Sequence, residues 1–118
     1  MNPDLLALII EDDEDLSIIF SEALRSAGFE TEAIKDGQTA MDRLAVVQPR
    51  VIVLDLHLPH VNGIEILAKI RSDPTLKHAK VIVVTADARM AELAEAADFV
   101  LIKPIGFNML RELSSRLV

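Results

Sequence analysis

Cysteine is absent from the 118 residues, so no disulfide framework, thiolate zinc site or thiol nucleophile is available. Any chemistry must come from oxygen, nitrogen or backbone groups, and a reducing, cytoplasmic setting suits the chain. Tryptophan and tyrosine are also missing, and the four phenylalanines offer too little aromatic surface to stack nucleic-acid bases or sandwich a flavin. With only 4 Gly and 5 Pro, collagen-like, low-complexity and disordered classes are excluded. The longest unbroken apolar run, Leu5 to Ile10, falls far below the ~18 residues of a membrane helix. Met1-Asn2-Pro3-Asp4 lacks the positive start of a signal peptide, so the chain reads as neither spanning nor secreted. Cations are scarce as well: 12 Lys and Arg stand against 19 Asp and Glu, a net charge of -7. No basic footprint remains for a phosphate backbone, which argues against direct nucleic-acid binding.

What the chain does have is an ordinary globular composition, 51% hydrophobic and 26% charged, in a length that suits one compact domain over residues 1–118. Five short apolar runs rich in branched residues recur: Leu5 to Ile10, Phe29 to Ile34, Val51 to Leu54, Val81 to Thr85 and Phe99 to Ile102. Four are nearly continuous, as strands covered on both faces of a parallel sheet would be; the second alternates, as an edge strand would. Between them lie segments of helical spacing. The clearest carries Leu16, Ile19, Phe20, Ala23, Leu24 and Ala27 and stops at Gly28. Thr39 to Val47, Ile64 to Arg71 and Phe107 to Leu117 fit the same role, and Arg89 to Ala97 is the shortest. The pattern predicts an α/β fold: a doubly wound five-stranded parallel sheet with helices on both faces, ligands binding beyond the carboxyl ends of the strands.

Those strand ends carry chemistry. The first run ends in Glu11-Asp12-Asp13, the third in Asp55, the fourth in Thr85 and the fifth in Lys103-Pro104. Carboxylates, a hydroxyl and an ammonium on one rim suit a hard divalent cation such as Mg²⁺ beside an anionic group, whereas zinc would want nitrogen or sulfur. Each residue alone has a plainer explanation: Asp13 or Asp15 as a helix N-cap, Asp55 in a turn, Thr85 as a β-former, Lys103 as a solvated charge. Capping and turn chemistry do not, however, require these types to end four strands of one sheet. His57 and His60 after Asp55 could be read as metal ligands, but Pro59 between them indicates a turn rather than a shared helix face. His78 reads as a surface loop residue.

From Leu5 to Leu117 the sequence resembles the receiver domain of bacterial two-component response regulators. The resemblance rests on the acidic pair Glu11-Asp12, on Leu54-Asp55 followed by Pro59 and Gly63, on Thr85-Ala86 and on Lys103-Pro104, all in order. It implies the strand order 2-1-3-4-5 and a phosphorylation-dependent signalling switch. Asp55 would be the phosphoryl acceptor, Thr85 the hydroxyl that meets the phosphoryl group, and Lys103 its counter-charge. Mg²⁺ would be held by Asp12 and Asp55 with Glu11 alongside and the backbone carbonyl of His57. A sensor histidine kinase or phosphotransfer protein would be the donor, an output domain or protein would lie downstream, and the Lys103-Pro104 peptide bond would be cis. Residue chemistry supports the same assignment independently: a carboxylate attacks an anionic phosphoryl donor only if a cation screens the repulsion.

Two features depart from the family pattern. Thr85 and Lys103 are 18 residues apart, about four fewer than usual, which shortens the fourth helix or its loop by roughly one turn and alters the output surface. Three residues before the lysine, where the family carries an aromatic ring, stands Val100; strand alternation sends the neighbouring Phe99 to the opposite face. A Mg²⁺-dependent phosphatase with an aspartyl nucleophile is the enzymatic alternative, but the second aspartate such enzymes resemble is replaced here by His57. A receiver-like module that only binds partners is the other, and the intact Asp12, Asp55, Thr85 and Lys103 set speaks against it. The transfer and hydrolysis expected at Asp55 serve signalling rather than metabolism, so the chain is not read as an enzyme.

Overall fold

The computed structural model describes residues 5–118, and the Met1 to Asp4 segment lies outside them. Five strands run β1 Leu6–Ile10, β2 Glu30–Ile34, β3 Val51–Asp55, β4 Lys80–Thr85 and β5 Phe99–Ile102. All adjacent pairs are parallel, in the order β2-β1-β3-β4-β5. Five helices alternate with them: α1 Glu14–Ser26, α2 Gly37–Leu44, α3 Gly63–Ser72, α4 Ala88–Glu92 and α5 Phe107–Ser115. A 3-10 turn, Pro74–Leu76, follows α3.

Strand alternation divides the core in two. Leu8, Ile10, Ile52, Leu54, Val81 and Val83 pack against Leu44, Ile66 and Ile70 of α2 and α3. Their alternates Ala7, Ile9, Val51, Val53, Ile82 and Val84 pack against Phe20 and Leu24 of α1 and Leu110 of α5. Every residue of β3 is buried, as the continuous apolar run requires of a strand covered on both faces. Beyond α1 the chain turns at Gly28, whose φ of +109° lies where a side chain is strained, so glycine is what allows the helix to stop there.

The fifth strand departs from its sequence reading. Its continuous apolar run predicts burial on both faces, yet Phe99 and Leu101 pack beside α1 and α5 while Val100 and Ile102 are 37% and 46% exposed. The cause is α4, which spans five residues where Arg89 to Ala97 was expected, too short to cover the outer flank of the edge strand β5. Phe99 and Val100 do face opposite sides of the sheet. In place of the missing turn, the Arg71 guanidinium staples the α4–β5 connection: Nε donates to the Ala96 carbonyl at 2.7 Å, Nη1 to the Ala79 carbonyl at 3.1 Å and Nη2 to Asp98 Oδ2 at 2.7 Å. Asp98 Oδ2 also accepts from the Val81 amide at 2.8 Å, tying the loop to β4. Among the described residues, no helix is long and apolar enough to cross a membrane.

Candidate functional site

Because the strands are parallel, their last residues form one rim. Ile10 pairs with Leu54, so the next residues, Glu11 and Asp55, leave β1 and β3 side by side. Asp55 in turn sits opposite Val84, one residue before Thr85, and the Lys103 amide donates to the Thr85 carbonyl at 2.8 Å. Glu11, Asp55, Thr85 and Lys103 are thus brought together by register alone.

The three consecutive acids after β1 separate in role. Asp13 is the N-cap of α1, accepting from the Leu16 amide at 2.9 Å. Glu11 is 1% exposed, with Oε2 accepting from the Asp13 amide at 3.1 Å. Asp12 stays exposed between them. Carboxylate oxygens of Glu11, Asp12 and Asp55 lie within 4.8 Å of one another, the grouping of potential metal ligands found among the described residues. Oxygen-only donors, two of them buried, fit a hard cation such as Mg²⁺.

Burial dominates the electrostatics. Asp55, 4% exposed, has its carboxyl pushed from 3.8 up to about 7, first by burial and then by the negative Glu11; the His57 amide and the Lys103 ammonium act in the opposite direction. The His57 N–H donates to Asp55 Oδ1 at 3.2 Å. Lys103 Nζ lies 2.8 Å from Glu11 Oε1 and 3.7 Å from Asp55 Oδ2. Burial disfavours its charge, but the Glu11 and Asp55 carboxylates outweigh that cost and raise the ammonium above its ordinary value. Without a cation, three carboxylates therefore share one ammonium. The site is short of positive charge, and a divalent ion is the natural complement.

The connecting loops complete the frame. Gly63 opens α3 with its amide donating to the Leu56 carbonyl at 3.0 Å, and a Cβ there would lie 2.6 Å from the Asp55 carbonyl oxygen. Only glycine lets α3 start this close to the strand end. The Lys103-Pro104 bond is cis, as the resemblance implied. Thr85 is fully buried, and its Oγ1 accepts from the Asp87 amide at 3.1 Å. Asp87 then caps α4 by accepting from the Arg89 amide at 2.9 Å. The sequence reading did not single out Asp87; an aspartate two residues after a strand-ending threonine, just before an alanine-rich segment, is the signal that could have found it.

The two histidines of the β3–α3 loop do not join the acidic group with their rings. His57 Nε2 lies 3.9 Å from Asp87 Oδ2 and its side chain is exposed. His60 adopts a left-handed φ of +74°, consistent with the turn that Pro59 indicates. His78 is exposed.

Comparison with known proteins agrees with this geometry. The family model described as "Response regulator receiver domain" matches residues 7–114. The chemotaxis protein CheY-3 of Vibrio cholerae is 35% identical over 98 residues, covering 82% of this chain and 75% of its own. The signal receiver domain of a DNA-binding response regulator from Colwellia psychrerythraea superposes with a TM-score of 0.85 at 27% identity, covering 97% of this chain and 98% of its own. The response regulator TrrA from Thermotoga maritima, solved in complex with Mg²⁺-BeF, gives 0.84 at 25% identity, covering 96% and 98%. With its sheet order, its strand-end acids and a family match that spans nearly all of its length, the chain belongs to the response regulator receiver domain family and is a phosphorylation-dependent signalling switch.

Proposed function

We propose that Asp55 is the residue that accepts the phosphoryl group, from a sensor histidine kinase or a phosphotransfer protein. The observation that carries this reading is the pairing of a buried, electrostatically crowded carboxylate with a lysine that reaches both it and Glu11. Mg²⁺ would be held by Glu11, Asp12, Asp55 and the His57 backbone carbonyl. When bound, it supplies the positive charge that lets an anionic nucleophile approach an anionic donor. That Mg²⁺-BeF occupies the TrrA structure supports this choice of ion.

The chain's own groups do the rest. An Asp55 carboxylate oxygen attacks the donor phosphorus, and the bond from phosphorus to the donor's leaving atom breaks with its electron pair. Lys103 neutralises a phosphoryl oxygen and is held in place before transfer by Glu11. Thr85, now engaged by the Asp87 amide, has a hydroxyl hydrogen free to turn toward the new phosphoryl oxygens. Its movement would shift the loop that begins α4, converting a local charge change into an altered surface. Val100 brings no aromatic ring to that movement, so the α4 loop itself carries the signal. An output domain or protein reading that surface lies downstream, and hydrolysis of the acyl phosphate resets the switch.

Incubation with Mg²⁺ and acetyl phosphate, followed by intact-mass spectrometry, tests the assignment. The wild-type chain should gain one phosphoryl group and Asp55→Asn none. An unchanged wild-type mass, under conditions that modify the Vibrio cholerae relative, would overturn it. Absence of sustained phosphate release from a monoester separates the switch from an aspartyl phosphatase.

A further inference from the structure

The opposite end of the sheet carries a second concave feature with the reverse charge. A groove of about 590 Å³ lies where β3 and β4 begin and α5 ends. Its floor includes the buried Pro49 and Ala79, and its walls carry the exposed Arg50, His78, Lys80 and Arg116. Among the described residues no acidic side chain lines it, and Leu117 and Val118 also belong to the lining, in a chain where carboxylates outnumber cations 19 to 12. Arg50 is partly fixed in place: its Nε donates to the Leu117 carbonyl at 3.1 Å, which ties the β3 end of the groove to the end of α5. Lys80 has one distant carboxylate neighbour, Asp98 Oδ1 at 3.9 Å, and the other oxygen of Asp98 is already taken by Arg71. The five residues of β3 place this groove about 16 Å from the acidic rim, so the two sites are physically separate.

We propose that this groove binds a small multiply charged phosphate compound of nucleotide size. Two guanidiniums and an ammonium around one groove suit adjacent phosphate groups, the guanidinium fork being suited to paired oxygens. The volume falls in the ~300–1,000 Å³ range of small-molecule sites and exceeds what a phosphate chain alone would fill, leaving room for an organic portion. A long polyanion such as nucleic acid is disfavoured by the net charge of -7. Binding here would make the domain responsive to a soluble ligand independently of the state of Asp55.

The test is a titration of the full chain with ADP in EDTA, followed by ¹H–¹⁵N correlation spectra, with pyrophosphate, adenosine and citrate as parallel titrants. EDTA keeps divalent ions from drawing phosphate to the acidic rim. ADP should shift the amides of Arg50, Lys80 and Leu117 and saturate with a Kd below about 1 mM. Pyrophosphate should shift the same amides more weakly, and adenosine should leave them unmoved. Arg116→Gln and Lys80→Gln, both on exposed side chains, should each weaken ADP binding about 10-fold with the rest of the spectrum unchanged. Shifts confined to the surroundings of Asp55 and Lys103, no saturation by about 10 mM, or equal affinity in both variants would overturn the proposal. Citrate binding as tightly as ADP would overturn the assignment to phosphate.

Discussion

Asp55 gives the metal-free protein a stability that falls as pH rises, opposite to the trend of its other perturbed carboxylates. An aspartate in the unfolded chain titrates near 3.8, and burial beside Glu11 moves it to about 7 in the folded state. Between those values the folded state holds the extra proton, so each pH unit costs up to about 1.4 kcal/mol of stability. The loss begins above 3.8 and ends as pH passes through about 7. From pH 5 to pH 7 the expected fall is roughly 2 kcal/mol, since the carboxyl is already about half-ionised at the upper limit. Asp36, Asp73 and Asp87 do not mask it. Hydrogen bonds from Thr39, Thr75 and Arg89 respectively hold them below 3.8, so their contribution is already complete above that value and is lost only in stronger acid. Urea unfolding in EDTA across pH 5 to 8, for wild type and Asp55→Asn, reads the effect directly. The variant should show little slope and should be the more stable protein at pH 7.5, by roughly 2 kcal/mol, because it no longer buries a charge among carboxylates. A flat or rising wild-type profile, or an equal slope in Asp55→Asn, would refute the reasoning.

Three further outcomes are expected. Millimolar Mg²⁺ should raise the wild-type melting temperature more at pH 8 than at pH 5.5, since the cation competes with the Asp55 proton; an equal shift in Asp55→Asn would place the ion elsewhere. Gly63→Ala should cost about 3 kcal/mol in urea, because its Cβ would fall 2.6 Å from the Asp55 carbonyl oxygen and backbone must move; a change below about 0.5 kcal/mol would show the loop to be more yielding than the geometry indicates. Arg71→Ala should cost about 2–3 kcal/mol by removing three hydrogen bonds from the α4–β5 connection, with amide exchange accelerated at Ala97, Asp98 and Val81; unchanged exchange there would remove the staple from the account.

The order of elements and the make-up of the rim were determined by the sequence alone. Parallel strands with continuous apolar runs can be buried only between two helix layers, and that arrangement puts every strand's last residue on the same edge. Glu11, Asp12, Asp55, Thr85 and Lys103 were therefore recognisable as one group before any coordinate was known, and strand alternation correctly sent Phe99 and Val100 to opposite faces. Tertiary structure decided that Asp13 rather than Asp15 caps α1 and that Glu11 turns inward, because both aspartates suit a cap on paper and only the folded chain shows which one meets a free amide of the first turn. It also decided where α4 ends, since alanine propensity favours a longer helix than the 17 residues between Thr85 and Lys103 leave room to pack. The exposure of Val100 and Ile102 and the Arg71 staple follow from that packing, and the basic groove from the way the end of α5 meets the start of β3. Each depends on residues 8 to 67 positions apart in the chain, and no local periodicity carries the position of a neighbour that distant.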